Sequence, residues 1–440
     1  MLYYSTNLKS PAVSLREAVM RGLAEDGGLY LPELIPVLPP SFFKSIGDMT
    51  HNEVALKVAR VFIGDDVPED VLAGIIKESL DFMIPLKRFG ENVYCLELFH
   101  GPTMAFKDVG ARFMSRLMAY LYRNEDRALN VLVATSGDTG SAVAAGFHGV
   151  EGINVFVLFP GGKVSPLQQK QITTWGRNIY ALEVDGTFDD CQKLTKQMLG
   201  DRQLSDLFNL TSANSINIAR LIPQSFYYFF AFARLDTGRI DEARLPLVFS
   251  VPCGNFGNLT GGLMARAAGL PVLRFVASTN INDVFCRFME TGEYKPAASI
   301  PTISNAMDVG DPSNFVRIKD LMGNNIDNFR EIITAYSYSD DDTSMAIGKL
   351  HAATDYIMDP HGAVAYLGLR QFMSEYHEAV NGIFLETAHP AKFPETMKRI
   401  IDDFDYLPPQ LQEVLSREEK FHSIGNDPEE LKAFIQGVNQ

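Results

Sequence analysis

The sequence predicts an α/β protein with two parallel sheets and a mainly helical N-terminal region. From Val93 onward, short β-branched runs alternate with helical patterns, which is typical of parallel strands joined by crossover helices. The strand candidates are continuous apolar runs, as expected when both faces of a sheet are covered. They form two clusters, before and after residue 215, which indicates two lobes with a cleft between them.

The predicted elements follow in chain order. Helical spacing recurs at 52–62 and 68–83, after a proline-rich break at 31–40. Strand candidates lie at 131–135, 154–159, 178–184, 247–251, 272–277 and 382–387. Helix candidates lie at 140–147, 165–175, 188–199, 216–235, 259–268 and 362–376. The tail after Leu407 is interpreted as short helices on the surface. We therefore expect an N-terminal region at 1–90, a large α/β domain at 91–112 and 216–440, and a small α/β domain at 113–215.

Composition and charge narrow the class of function. The 440-residue chain carries a net charge of −15, which makes it a poor candidate for binding nucleic acid or an anionic membrane. The most apolar window, 226–232, is too short to span a bilayer. The four cysteines are far apart and form no CxxC pair, which argues against a zinc site and for a reducing compartment. With no signal-peptide pattern at the start, we expect a cytoplasmic protein without a metal.

The loop at 250–262 has the pattern of a phosphate-binding turn. It follows a strand candidate and leads into a helix candidate, and Gly254 and Gly257 allow the backbone to approach an anion. The helix start then supplies free N–H groups and a positive dipole end. Neither the lysine of a Walker A loop nor a GxGxxG pattern is present. A tight turn without a ligand is the alternative, and the spacing leaves both open.

Two further loops carry polar residues in apolar surroundings. The loop at 134–141 offers hydroxyl and N–H groups that suit a carboxylate, but Asp138 would repel an anion unless it meets a donor. On the sequence alone, a helix-capping cluster is the more typical interpretation of this loop. In the loop at 100–110, Lys107 lies in an apolar stretch where its pKa can fall and its amine can act as a nucleophile. Because most lysines are simply exposed, Lys107 alone establishes no function.

Taken together, these loops resemble the threonine synthase family of pyridoxal-phosphate (PLP) enzymes. Five long blocks match in order, at 99–108, 134–141, 211–220, 254–258 and 385–393. Shorter matches lie at 27–32, 304–310 and 359–364, so the resemblance extends from about residue 20 to residue 395. It implies a fold-type-II PLP enzyme with a large and a small α/β domain, the cofactor in the cleft between them, and an additional N-terminal region.

The resemblance also implies a role for individual residues. Lys107 would form the internal aldimine with PLP, and Thr387 would hydrogen-bond the pyridine nitrogen. The cofactor phosphate would be held by Gly254, Asn255, Phe256, Gly257 and Asn258. The phenolic oxygen of PLP and the substrate carboxylate would be faced by Thr135, Ser136, Gly137, Asp138 and Thr139. The substrate phosphate would be bound by Ser215, Asn217 and Arg220, which flank the first turn of a helix candidate, where N–H groups and a guanidinium can converge on a dianion.

Two positions depart from the pattern of related enzymes. Related PLP enzymes often have Asn where Asp138 stands, and the carboxylate changes the proton balance of the site. Glu386 occupies a position where a small residue is expected. In an extended strand Glu386 points away from Thr387, so we expect it to miss the PLP ring.

The implied activity is the conversion of O-phosphohomoserine and water to threonine and phosphate, the last step of threonine biosynthesis, with Lys107 as the group that moves protons. A serine/threonine dehydratase has no substrate phosphate for Ser215 and Arg220 to hold. A phospholyase that releases phosphate without adding water binds the same kind of substrate and stays open. A catalytically silent binding module is disfavoured by the intact Lys107, and a nucleotide-binding protein by the missing phosphate-loop patterns. The oligomeric state is not predicted.

Overall fold

The N-terminal region contains a small sheet that the sequence analysis did not predict. The computed structural model describes residues 1–135, 137–235 and 245–438. The first elements are β1 (Leu2–Ser5), β2 (Val13–Ser14), α1 (Leu15–Arg21), β3 (Tyr30–Pro32), α2 (Pro40–Ser45), a 3-10 turn (Ile46–Asp48), α3 (His51–Ile63) and α4 (Glu69–Ser79). β1 pairs antiparallel with both β2 and β3. The predicted helices at 52–62 and 68–83 are α3 and α4, so the expectation of a mainly helical region was incomplete.

The middle of the chain alternates strands with helices. Its elements are β4 (Leu86–Gly90), β5 (Val93–Glu97), α5 (Lys107–Tyr122), β6 (Leu129–Ala134), α6 (Asp138–Phe147), β7 (Ile153–Pro160), α7 (Pro166–Thr173), β8 (Ile179–Val184), α8 (Phe188–Gly200), α9 (Arg202–Phe208) and β9 (Leu210–Ser212). Each predicted strand and helix between residues 131 and 199 is present, within a few residues of its expected ends.

The last part of the chain continues the alternation. Its elements are α10 (Ile218–Leu221), a 3-10 turn (Ile222–Ser225), α11 (Phe226–Leu235), β10 (Leu247–Pro252), α12 (Gly257–Ala267), β11 (Val272–Thr279), α13 (Val284–Thr291), a 3-10 turn (Asn305–Met307), α14 (Phe315–Leu321), α15 (Ile326–Ile332), β12 (Ile333–Ser337), α16 (Asp340–Thr354), α17 (Pro360–Glu375), β13 (Asn381–Glu386), a 3-10 turn (Pro390–Lys392), α18 (Pro394–Ile400), α19 (Pro409–Ser416), β14 (Phe421–Ile424) and α20 (Pro428–Val438). The single helix predicted at 216–235 is divided by the 3-10 turn, which contains Pro223.

Two sheets confirm the predicted fold class. The larger sheet has the order β12-β11-β10-β13-β5-β4, and its pairs are parallel except for β4 with β5. The smaller sheet has the order β14-β8-β7-β6-β9, with parallel pairs throughout. Every residue of β6 is buried and all but Asn130 are apolar, as expected of a strand covered on both faces.

Two predicted domain limits differ from the sheet pairing. β4 belongs to the larger sheet, so the larger domain begins before residue 90. The C-terminal tail was assigned to the larger domain, but β14 pairs with β8 in the smaller sheet, and Leu431 and Ile435 of α20 pack into the core of that sheet. The sequence hides this placement because β14 is a short edge strand with mostly exposed side chains and no apolar run.

The aromatic helix α11 lies beneath the cleft. Its first eight residues are buried, as the apolar window at 226–232 suggested. The hydroxyl of Tyr228 donates to the carbonyl oxygen of Asn258 at 2.8 Å, and that of Tyr227 donates to the carbonyl oxygen of Phe106. α11 thus supports both the turn before Lys107 and the loop after β10. Within the described ranges, every helix is too short or too polar to cross a bilayer.

Candidate active site

A cavity of about 420 Å³ lies where strands of both sheets end. Ala134 ends β6, Pro252 ends β10 and Thr387 follows β13, and all three line the cavity. Ligands of open parallel sheets bind at the carboxyl ends of the strands, where the strand order changes direction. The cavity therefore has the position expected for an active site.

Lys107 is the first residue of α5 and reaches into this cavity. The preceding turn is held by Asp108, whose carboxylate accepts hydrogen bonds from the Thr103 hydroxyl at 2.6 Å and the Thr103 N–H at 3.0 Å. Burial lowers the pKa of Lys107, and the positive charges of Lys392 and Arg220 act in the same direction, whereas Asp138 opposes them. This environment suits the reactive amine that the sequence predicts at Lys107.

Asp138 begins α6 and lies between two lysines. Its Oδ2 is 3.8 Å from Nζ of Lys107, and its Oδ1 is 2.6 Å from Nζ of Lys392. Gln168 Nε2 donates to Oδ1 at 3.1 Å. Burial alone would raise the pKa of Asp138, but Lys392 and Lys107 lower it well below its usual range, so this carboxyl group is an anion. The sequence analysis asked which donor would offset the charge of Asp138 and did not assign that role to Lys392.

The rest of the loop after β6 is stabilised by hydrogen bonds between its own residues. Thr139 lines the cavity, and Gly137 has a φ of 150° and precedes α6 as its N-cap. The Thr135 hydroxyl accepts the N–H of Gly137 at 3.0 Å and that of Gly140 at 2.8 Å. Thr135 therefore supports the loop, and because it also lines the cavity, its role in substrate binding stays a prediction. Ser136 lies outside the described residues.

The loop after β10 opens onto the cavity. The predicted cofactor residues Gly254, Asn255, Phe256, Gly257 and Asn258 all line it. Phe256 has a φ of 59° and is the N-cap of α12, with no side-chain hydrogen bond to the helix N–H groups. A Cβ atom at Gly254 would lie 2.6 Å from the carbonyl oxygen of Ala306, so glycine is needed here for close packing against a neighbouring segment.

The predicted substrate-phosphate residues are divided by the structure. Ser215 and Arg220 line the cavity. Arg220 donates from Nη1 to the carbonyl oxygen of Ala213 at 2.6 Å, and burial lowers its pKa to about 10, so its guanidinium remains charged. Asn217 is fully buried and does not line the cavity. Its Nδ2 donates to the carbonyl oxygen of Val19 at 2.8 Å and its Oδ1 caps α10, so the predicted phosphate contact of Asn217 is corrected.

Arg317 stabilises the loop that carries Ser215, from the side away from solvent. Its Nη2 donates to the carbonyl oxygen of Ile216 at 2.7 Å, and its Nε donates to the carbonyl oxygen of Tyr30 at 3.1 Å. Its side chain is fully buried, and burial lowers its pKa to about 9. Arg317 and Asn217 together tie the N-terminal region to the loop that carries Ser215.

Thr387 and Glu386 diverge as expected for neighbours in a strand. Thr387 lines the cavity, and its carbonyl oxygen accepts the N–H of Phe106 at 2.8 Å, which joins β13 to the Lys107 turn. Glu386 does not line the cavity, and its Oε1 accepts the N–H of Asp359 at 2.7 Å. Burial raises the pKa of Glu386 well above its usual range, and the neighbouring Asp359 adds to the effect. Both effects favour the neutral form of the Glu386 carboxyl group, which supports the start of α17 rather than the cavity.

His361 also lines the cavity, although the sequence analysis did not name it as a site residue. Its Nε2 accepts the N–H of Ala306 at 3.2 Å, and its Nδ1 lies 2.5 Å from Asp359 Oδ1. This pairing sets the tautomer with the proton on Nδ1. Other lining residues to which the sequence analysis gave no role are Lys163, Gln224, Thr302, Asn305 and Asp308. Only the block at 304–310 gave a signal for any of them, through its resemblance to the family.

The cavity has the donors that PLP requires. Among the described residues, three buried polar atoms of lining side chains have no hydrogen-bond partner: Nε of Arg220, Oε1 of Gln224 and Nδ2 of Asn258. Buried polar groups are rarely left unpaired without a ligand or water to meet them. With the N-terminus of α12, the two donors among them, Nε of Arg220 and Nδ2 of Asn258, suit a phosphorylated ligand, and Lys107 offers the amine that an aldehyde needs. These residues fit PLP.

Comparison with known proteins gives the same result. Three family models match: pyridoxal-phosphate dependent enzyme at residues 82–382, threonine synthase N terminus at 2–80, and threonine synthase C-terminal at 362–435. The chain is 40% identical to threonine synthase of Serratia marcescens over 438 residues, covering 100% of both chains. It is 41% identical to that of Escherichia coli K12 over 415 residues, covering 94% of each.

Solved structures extend the likeness to the fold. A crystal structure of threonine synthase from Escherichia coli matches with a TM-score of 0.91 at 39% identity, covering 100% of both chains. A PLP-bound threonine synthase from Brucella melitensis matches with a TM-score of 0.93 at 33% identity, also over 100% of both chains. The full-length match and the cavity built around Lys107 lead to one conclusion: the chain belongs to the threonine synthase family of PLP-dependent enzymes.

Proposed function

We propose that this chain converts O-phosphohomoserine and water to threonine and phosphate, with PLP held in the cavity described above. The observation that carries the proposal is the partly buried amine of Lys107 in a cavity that also offers Arg220 and the N-terminus of α12, which has no side-chain cap. When bound, PLP supplies an electron sink for the negative charge that develops on substrate carbon. The protein must then position the substrate and move protons.

The loop after β10 is proposed to hold the cofactor phosphate. Its helix α12 presents N–H groups without a side-chain cap, and Asn258 adds an unpartnered amide. Lys107 is the proposed covalent attachment point. Thr387 would meet the pyridine nitrogen with a hydroxyl rather than a carboxylate, which leaves that nitrogen largely unprotonated and disfavours transamination.

Lys107 is proposed to carry protons between substrate carbons. A neutral amine can accept the proton from the α-carbon and serve the β-carbon before and after water adds there. Burial, which lowers the pKa of Lys107, increases the fraction of neutral amine near neutral pH. One group that both accepts and returns protons works best with a pKa near the working pH.

Ser215 and Arg220 are proposed to bind the substrate phosphate. Arg220 remains charged, lies almost entirely out of solvent and has an Nε without a partner. Charge-assisted hydrogen bonds gain strength in such a low-dielectric site. As the phosphate leaves, its negative charge grows, so the same contacts stabilise the departing group.

A cytoplasmic location forms part of the proposal. All four cysteines are free thiols rather than disulfides, as a reducing compartment favours. The partner is a small molecule, in keeping with a cavity of about 420 Å³.

The deciding experiment is incubation of the purified protein with PLP and O-phosphohomoserine, with phosphate, threonine and keto acid measured together. Equal amounts of phosphate and threonine with little keto acid are expected. Phosphate with keto acid and no threonine would mean a phospholyase in which water addition is missing. Absence of phosphate in a protein that still shows the absorbance of lysine-bound PLP would contradict the substrate assignment and direct attention to serine and threonine.

A further inference from the structure

Lys392 is a buried lysine behind the wall of the cavity. Its Nζ lies 2.6 Å from Asp138 Oδ1 and donates to the carbonyl oxygen of Thr103 at 3.0 Å. The side chain has 0% exposure and is absent from the cavity lining that includes Lys107. The charge of Lys392 therefore acts on Lys107 both directly and through Asp138, without contact between Lys392 and the contents of the cavity.

The neighbourhood of Lys107 poses an electrostatic problem. Asp138 Oδ2 is 3.8 Å from Lys107 Nζ, and a buried carboxylate at that distance favours the charged form of a lysine. The proposed reaction needs the neutral form. A second cation on the far oxygen of Asp138 offsets the charge that would otherwise retain the proton on Lys107.

We propose that Lys392 is a positioning residue that neutralises Asp138, so that the amine of Lys107 can release its proton inside the cavity. The inference rests on the proposed function, because it takes Lys107 as the reacting amine. Lys392 does not touch the substrate in this role. It fixes the charge and the orientation of the carboxylate beside Lys107.

Other charged groups near Lys107 do not replace this effect. Arg220 favours the neutral amine, as Lys392 does, and Asp359 opposes it from the start of α17. Asp359 is itself engaged by His361 at 2.5 Å. The remaining titratable groups that adjoin Lys107 in sequence or line its cavity are Asp108, Lys163 and Asp308. Among the described residues, Asp138 is the acid closest to Lys107, and Lys392 is the cation closest to Asp138.

The proposal predicts shifts of opposite sign for two substitutions. In Lys392→Gln, the negative charge of Asp138 is no longer offset by a second cation, so the pKa of the Lys107 amine rises. In Asp138→Asn, Lys107 faces the positive charge of Lys392 without a carboxylate, so its pKa falls. The double variant, Asp138→Asn with Lys392→Gln, removes both charges and brings the pKa back between those of the single variants. Lys392→Arg keeps the charge and should leave the pKa of Lys107 near its original value.

The experiment uses the full-length protein stripped of PLP. The rate at which each variant forms lysine-bound PLP is followed by absorbance over a series of pH values, and the midpoint of the profile reports the Lys107 amine. We expect Lys392→Gln to capture PLP about tenfold more slowly near neutral pH and to recover as the pH rises. The pH profile of kcat should move in the same direction. Lys398→Gln, at an exposed lysine of α18, is the matched control and should change neither profile.

Several outcomes would overturn the role of Lys392. An unchanged midpoint in Lys392→Gln, with only a lower rate, would indicate a purely structural contact. Midpoint shifts of the same sign in Lys392→Gln and Asp138→Asn would also contradict the proposed role of Lys392. If Lys392→Gln does not fold, Asp138→Asn and the double variant decide, because the double variant must have the higher midpoint. Failure of the unmodified chain to bind PLP through Lys107 would contradict the proposed function itself, whereas normal binding with unmoved midpoints contradicts only this inference.

Discussion

The loop after β6 and the loop after β10 flank the same cavity, and they differ in what they leave unpaired. Each joins a parallel strand to the N-terminus of a helix. In the first loop, the Thr135 hydroxyl takes up the N–H groups of Gly137 and Gly140, and the charged residue is Asp138. In the second loop, α12 has no side-chain cap, and Nδ2 of Asn258 has no partner.

This difference shows that a helix N-terminus is not by itself an anion site. The donors at the start of α6 are partly used by the protein's own hydroxyl, and a carboxylate stands where an anion would bind. At the start of α12 no side chain accepts from the helix N–H groups. We infer that the loop after β6 controls the charge of Lys107, whereas the loop after β10 holds the phosphorylated ligand.

The largest effect is expected when the amine that faces the β6 loop is removed. Lys107→Ala should lower turnover at least a thousandfold, because the proton carrier is lost, and should abolish the absorbance of lysine-bound PLP. The β10 loop is intact in this variant, so PLP should still bind without a covalent bond, as measured by equilibrium dialysis. Lys349→Ala, at an exposed lysine of α16, is the control. Normal threonine output from Lys107→Ala would refute the mechanism.

A smaller effect is expected at the guanidinium across the cavity. Arg220→Ala should raise KM for O-phosphohomoserine about tenfold to a hundredfold, the cost of losing a charge-assisted hydrogen bond in a buried site. PLP binding should be preserved, because the β10 loop is untouched. Steady-state kinetics and a PLP titration of the same preparation check both statements. Weakened PLP binding with an unchanged KM would assign Arg220 to the cofactor instead.

A pair of substitutions tests the comparison of the loops directly. Asn258→Ala removes a free donor and should weaken PLP binding about tenfold while leaving the stability of the PLP-free protein nearly unchanged. Thr135→Val should instead leave PLP binding nearly unchanged and lower the free energy of unfolding by about 2 kcal/mol, because two buried N–H groups lose their acceptor. PLP titration and thermal unfolding of both variants give the four values needed. Equal effects on binding and stability would remove the distinction between the loops.

The smallest effect on the chemistry of the cavity concerns Glu386, which contacts neither loop and is tested through stability alone. Its raised pKa means that the folded protein keeps a proton that the unfolded chain releases above the usual pKa of glutamate. Stability should therefore fall as the pH rises above the usual pKa of glutamate, with a slope of at most about 1.4 kcal/mol per pH unit, until the folded protein also releases the proton. Glu386→Gln lacks this loss, so its advantage in unfolding temperature over the original chain should grow with pH. A constant difference would show that Glu386 is already ionised in the folded state.

The sequence predicted the parts of the fold that have a strong apolar signal. Four long strands of the two sheets between residues 129 and 279 are mostly apolar and mostly buried, because both faces of each sheet are covered. β2 and β14 gave no such signal, since one has two residues and the other is largely exposed. The placement of the C-terminal tail depends on which sheet edge is free, and local patterns do not contain that information.

The candidate site divides in a similar way. The sequence could predict that Lys107, Gly254 and Phe256 lie at the cavity, because each belongs to a motif whose place in the fold is fixed by the neighbouring strand or helix. Asn217 and Thr135 lie in the same motifs, but their side chains bond to the protein itself. Lys392 lay within a recognised block and received no role, because its importance arises from a contact with a residue 254 positions earlier in the chain, which no spacing rule shows.

The contacts of Arg317 indicate that the catalytic unit needs the N-terminal region as well. The pyridoxal-phosphate dependent enzyme model matches residues 82–382, which suggests a catalytic unit that begins after α4. Yet one buried guanidinium binds the carbonyl oxygen of Tyr30 as well as that of Ile216, and Asn217 binds the carbonyl oxygen of Val19. A chain shortened to the catalytic unit would leave these donors unpaired beneath the loop that carries Ser215. The N-terminal region therefore stabilises the loop that carries Ser215, and we expect that removing this region would disturb the proposed substrate site.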